Sequence, residues 1–180
     1  MEQQLKKSNI QTNFLNQIDL SWSLKDISRN LKQFTNGDYI LIFPFCSKKH
    51  VQKKWPYFAQ LIPKIKETYK NKYPILIAPG PGEEYEAKKL NAKTVLNNGT
   101  PVSLSFLISL IHSAKFVISN DTGPAHICSH LNKKGLVLFG SHTTAKKVNI
   151  GNTNFKTISV NLLSQLKVGE VLKSIRKNLD

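Results

Sequence analysis

The chain has 180 residues, 40% of them hydrophobic, and carries 26 Lys and Arg against 11 Asp and Glu, a formal net charge of +15. That length suits one domain with a substantial core and excludes a second full one, and no apolar run approaches the roughly 18 residues that cross a membrane. The opening MEQQLKKSNI lacks a signal peptide's apolar core and two cysteines are too few for a disulfide scaffold, so a globular protein of the reducing cytoplasm is expected.

Residues 1–37 are polar and weakly patterned, with a candidate helix at 13–18, and read as a linker or arm ahead of a domain over 38–180. From Tyr39 the pattern alternates. YILIFPF predicts a strand, residues 55–70 a helix with Phe58, Leu61, Ile62 and Ile65 on one face, and YPILIA a second strand. A short helix over 83–90, a strand over 94–96 and a helix over 103–113 capped by Ser103 follow. Phe116, Val117 and Ile118 form an apolar run without alternation, as a strand covered on both faces does. Strands at 135–139 and 155–160 and an amphipathic helix at 168–178 close the chain. Strands separated by helices predict a parallel, Rossmann-like sheet with helices on both faces, whose ligands bind beyond the strands' carboxyl ends. Those ends fall at 45–47, 78–82, 119–123 and 140–143, all rich in Gly, Pro or hydroxyl residues.

The segment KFVISNDTGPAHICSHL carries the most information. Asn120, Asp121 and Thr122 are helix-capping types, Gly123 permits a turn or a close approach, and Pro124 suits a first helical position. A helix starting there turns free amides and its positive dipole end toward the strand ends, which suits a phosphate or pyrophosphate, with His126 in the first turn. His126, Cys128 and His130 also raise a metal site, but no HExxH or paired Cys-x-x-Cys accompanies them and Cys128 falls on a different helix face, so no metal is assigned. Cys128 is expected in the core and His130 on the helix surface.

This segment, with the FPFCSKKHVQKKWP and APGPGEEYEAKKL blocks before it and FGSHTTAK after it, resembles glycosyltransferase family 9, the heptosyltransferases of the lipopolysaccharide inner core. The resemblance covers about residues 38–180 and implies the C-terminal, donor-binding half of a GT-B glycosyltransferase. It further implies that Lys53, in the Lys-x-Trp-Pro pattern, lies against the donor diphosphate with Ser47 as a second polar contact. Glu83, with Glu84 as fallback, would hold the ribose hydroxyls; Asp121 would orient sugar hydroxyls; and Thr122, Gly123, His126 and Gly140 would complete the donor site. Phe45 and Cys46 stand where the family usually has Gly and Ser, and Ser141 and His142 replace its Pro-Thr pair.

The implied chemistry is transfer of heptose from ADP-heptose, a donor substrate rather than a cofactor, to a lipopolysaccharide precursor with inversion at the anomeric carbon. Lysine and helix-terminus amides would stabilise the departing diphosphate in place of a metal. In this family the acceptor domain comes first and carries the catalytic base, so the base is expected in a preceding or separate acceptor-domain chain, with Asp19, Asp26 and Asp38 the first candidates should it lie within these residues. A split gene product, a remnant and a fragment all remain open.

The net charge also admits a nucleic-acid partner, but the lysines are scattered, with no Arg-rich stripe and no stacking motif, so this is disfavoured. The excess equally suits an anionic membrane surface, placing the protein at the periphery of the inner membrane, or the acidic, phosphorylated acceptor. A different nucleotide-sugar enzyme such as an epimerase is the remaining alternative.

Overall fold

In the computed structural model, which describes residues 2–9 and 18–179, the segment beyond Tyr39 forms a six-stranded, wholly parallel sheet. The elements in chain order are α1 (Glu2–Lys7), α2 (Ser28–Leu31), β1 (Ile40–Phe43), α3 (Phe58–Thr68), β2 (Ile75–Ile77), α4 (Glu84–Lys88), β3 (Lys93–Thr94), α5 (Leu104–Ser113), β4 (Phe116–Asn120), α6 (Gly123–His130), β5 (Gly135–Phe139), β6 (Phe155–Ser159) and α7 (Val168–Leu179). The strand order is β3-β2-β1-β4-β5-β6. The chain winds outward from β1 in one direction, then returns to start again at β4, so the switch point lies between β1 and β4. The expected Rossmann-like α/β class is the fold observed.

The apolar strand runs behave as parallel strands do. Ile40, Ile42, Ile75, Ile77, Phe116, Ile118, Leu136 and Leu138 face a core shared with α3 and α7. Their alternates Leu41, Phe43, Leu76, Val117, Val137 and Phe139 face a second core under α5 and α6. Gly135 opens β5 because the neighbouring strand leaves no room: a Cβ there would lie 2.4 Å from the Val117 carbonyl and 2.8 Å from the Phe155 ring.

Several expectations need correction. The helix predicted from residue 55 begins at Phe58, with Tyr57 as its N-cap at φ −104°, ψ 19°; Trp55 lies ahead of it, its backbone N–H donating to Asn120 Oδ1 at 3.1 Å and its indole N–H to the Leu166 carbonyl at 2.9 Å. The third strand is a two-residue edge, Lys93–Thr94, rather than 94–96. The candidate helix at 13–18 lies outside the described residues except for Ile18. The segment before Tyr39 is not free of the core: Ile27 is buried with Leu31 and Phe34 against the α5 side, and the Lys25 N–H donates to Ser109 Oγ at 2.7 Å.

Candidate functional site

The loops after β1, β2 and β4 converge, as expected of strand ends in one parallel sheet. They wall a cleft of about 530 Å³ together with the start of α5; Phe43, Pro44, Ala78, Val102, Leu104 and Leu107 make it largely apolar, and Ser47, Glu83 and Thr122 supply polar groups. Gly140 lines a neighbouring cavity of about 370 Å³ with Ser141, His142 and Lys54.

Ser47 is the N-cap of a 3-10 helix, Lys48–Lys53, and accepts from the Lys49 N–H at 3.4 Å. That helix kinks at His50 and delivers Lys53 to the end of β4. There Lys53 Nζ lies 2.7 Å from Asp121 Oδ2, and His142 Nε2 lies 3.0 Å from the same oxygen. Asp121 is buried, at 1% exposure, while 26% of the Lys53 side chain remains exposed. Burial alone would raise the Asp121 pKa, but the hydrogen bonds from Lys53 and His142 and the charge of Lys53 outweigh it and hold the carboxyl below its ordinary range. Lys53 and Asp121, read separately from sequence as a diphosphate contact and a sugar contact, are thus one ion pair.

The sequence marks Asn120 only as a helix-capping type and His142 only as a departure from the family's Pro-Thr pair, and assigns neither to the donor site. Asn120 is fully buried: its Oδ1 takes the Trp55 N–H, and its Nδ2 faces the Phe45 carbonyl at 3.5 Å, tying the loop after β1 to the end of β4. The signal available was a carboxamide at the buried carboxyl end of a central strand. Nothing in the sequence paired His142 with Asp121.

Glu83 sits just before α4, and its Oε2 accepts from the Gly80 N–H at 2.8 Å. Burial pushes its pKa up, the Gly80 hydrogen bond pulls it down, Glu84 raises it and Lys54 lowers it; the net direction is upward. Glu83 lines the cleft and Glu84 does not. Lys54, which lines the neighbouring cavity, lies over the Phe45 ring at 5.6 Å.

α6 starts at Gly123 with Pro124 in its first turn, and Thr122 takes the N-cap position without a side-chain capping bond. Gly123 does not need a positive φ; a Cβ there would meet no protein atom within 4 Å, so its effect is to keep the approach to the helix start unobstructed on the cleft side. In the first turn of α6, Pro124 has no N–H and the Ala125 N–H donates to the Thr122 carbonyl at 2.9 Å, which leaves the Gly123 N–H as the open donor of the helix start. His126 is half-buried; burial lowers its pKa and the Asp121 charge opposes that. Cys128 is wholly buried, and its thiol pKa is pushed far up by burial. His130 is partly buried on the same helix rather than fully on its surface.

Among the described residues no three His, Cys, Asp or Glu side chains are grouped to hold a metal ion, and no helix is long and apolar enough to cross a membrane. The alternative bases lie away from the cleft. Asp19 accepts from Ser21, Asp26 accepts from Ser28, and Asp38 pairs with Lys115 at 3.2 Å. Those hydrogen bonds lower the pKa of Asp19 and Asp26, which makes both poorer bases.

A doubly wound α/β domain with its cleft at the switch point, and a lysine-carboxylate pair beside a helix start, define the class. The chain belongs to glycosyltransferase family 9 (heptosyltransferase), whose family model matches residues 7–175. A comparison with curated protein sequences found no match. Among solved structures the chain is similar to the E. coli heptosyltransferase WaaC with ADP, at 24% identity and a TM-score of 0.69, covering 82% of this chain and 47% of that one. It is also similar to E. coli ADP-heptose lps heptosyltransferase II, at 17% identity and a TM-score of 0.70, covering 91% and 52%. UDP-GlcNAc 2-epimerase from Methanocaldococcus jannaschii matches at 14% identity and a TM-score of 0.61, covering 86% and 43%. At these identities the likeness shows the fold, and the chain spans about half the length of the heptosyltransferases it matches.

Proposed function

We propose that this domain binds ADP-heptose as donor and presents it for heptosyl transfer to a lipopolysaccharide inner-core precursor. The observation that carries the reading is the Lys53–Asp121 pair at the start of α6, next in the chain to Thr122 and Pro124, which line the switch-point cleft. An ammonium has three N–H donors, and Asp121 takes one of them, so Lys53 is oriented while retaining donors for a diphosphate laid over the Gly123 N–H at the start of α6. Family membership selects this reading from the ligands that such a cleft admits.

On this reading the adenine occupies the apolar part of the cleft, Glu83 accepts from the ribose hydroxyls, and Ser47 and Thr122 contact the phosphates. Negative charge develops on the leaving diphosphate as its bond to the anomeric carbon breaks. Lys53 and the positive end of α6, with the Gly123 N–H, stabilise that charge from preset positions. His126, one turn into α6, is close enough to interact electrostatically with Asp121 and Lys53 and is assigned to the donor sugar or phosphate. Gly140, assigned to the donor site by the resemblance, lines the neighbouring cavity instead, where a Cβ would lie 3.3 Å from His142 Nδ1. The acceptor and the base that deprotonates its attacking hydroxyl are supplied by an acceptor domain outside these residues, and the lysine excess favours an acidic, phosphorylated acceptor at an anionic membrane surface.

The test is transfer itself. The chain is incubated with ADP-heptose and a heptose-deficient lipopolysaccharide acceptor, alone and with a family 9 acceptor domain in trans, and acceptor mass is followed. General-base catalysis contributes about a hundred- to ten-thousandfold, so the expected result is mass gain in the second mixture only. No gain in either mixture would contradict the reading.

A further inference from the structure

Asp121 is held by two donors with different freedom. Lys53 reaches Oδ2 on a long side chain with 26% exposure. His142 reaches the same oxygen from a ring only 9% exposed and stacked on Phe139 with ring centroids 6.3 Å apart. An ionised carboxylate can only accept, so the proton of that contact belongs to His142 Nε2. The other ring nitrogen, Nδ1, is buried and has no hydrogen-bond partner among the described residues. His142 is therefore a donor fixed by its packing, and Lys53 is the donor with room to move.

We propose that His142 is a positioning residue for donor binding: it keeps the buried Asp121 carboxylate hydrogen-bonded and in place while Lys53 turns toward an anionic diphosphate. The inference rests on Lys53 being the diphosphate contact. A ligand that draws Lys53 away would otherwise strip a buried carboxylate of its donors, at a cost charged to binding. His142 removes most of that cost. The remaining titratable neighbours are His126 on α6, which interacts with Asp121 and Lys53, and Lys54, which lines the same cavity as His142.

Lys53→Met imitates withdrawal of the ammonium without any ligand. If His142 holds Asp121, K53M stays folded, and the Tm of K53M/H142F at pH 7 falls below the sum of the single losses by roughly 4 °C or more. The excess loss shrinks at lower pH as Asp121 takes up a proton. It disappears when D121N is added, and H142Q, whose amide can still donate, shows little of it. If K53M/H142F does not fold, the triple variant with D121N must fold. In calorimetry H142F weakens ADP roughly tenfold, and H142Q much less. Additive Tm losses, or no recovery with D121N, overturn the role of His142. Non-additive losses together with no ADP binding by the wild-type chain support that role and overturn the donor-site reading instead.

Discussion

Lys53 and Asp121, 68 residues apart in sequence, meet at 2.7 Å where the loop after β1 crosses the end of β4. The contact joins the two strands that flank the switch point, so the pair fixes the cleft's geometry as well as its charge. Lys53→Ala should weaken ADP roughly ten- to hundredfold through loss of a charge-assisted contact worth about 1.5–3 kcal/mol. It should also destabilise the fold by about 1–2 kcal/mol, because Asp121 keeps only His142. Calorimetry and chemical denaturation of the same variant measure the two effects; unchanged ADP affinity would return Lys53 to a purely structural role.

Asn120→Asp tests the neighbouring anchor. Aspartate can still accept from the Trp55 N–H but cannot donate to the Phe45 carbonyl, and it places a second carboxylate beside Asp121. The expected loss is about 2–3 kcal/mol at pH 7, from an unpaired buried carbonyl and like-charge repulsion. Equal denaturation midpoints for variant and wild type would show that the carboxamide does not tie the two loops.

Stability against pH should carry opposite contributions from the two cleft carboxylates. The folded pKa of Asp121 is depressed, so its contribution is fully present above the ordinary value of 3.8 and is lost as pH falls through the lower folded value. The folded pKa of Glu83 is raised, so its charge costs stability at neutral pH, and that cost disappears as pH falls through a folded value above 4.5. Glu83→Gln, which keeps an acceptor for the Gly80 N–H, should raise Tm at pH 7 and match the wild type below pH 4.5. The same variant should bind ADP more weakly. A Tm curve displaced equally at every pH would contradict this assignment.

Gly135→Ala should destabilise by about 2 kcal/mol or more, since the added methyl would meet the Val117 carbonyl and the Phe155 ring at distances that force β4, β5 or β6 to shift. The loss should appear in denaturation midpoints, with ADP affinity per folded molecule close to wild type. A neutral substitution would mean that the sheet edge yields more readily than its packing implies.

The layered fold was readable because hydrophobic runs and their spacing are local. GLVLF is the strand at Gly135–Phe139, and Ser103 caps α5 by accepting from the Phe106 N–H at 3.4 Å. The tertiary anchors of Trp55 are not local: nothing around it in sequence shows that its N–H will donate to Asn120 and its indole to Leu166, three residues ahead of the start of α3 at Phe58. The convergence of Ser47, Glu83 and Thr122 followed from topology, since parallel strands end on one edge. The links among Lys53, Asp121 and His142 did not follow, because they depend on loop geometry after three different strands.

The measurement closest to the central claim is calorimetric titration of the chain with ADP, UDP and a mixed-sequence oligonucleotide at low and high salt. The account predicts saturable 1:1 binding of ADP, weaker binding of UDP, loss of most ADP affinity in Lys53→Ala, and little oligonucleotide binding at high salt. No ADP binding by the wild-type chain, or a preference for UDP over ADP, would contradict it.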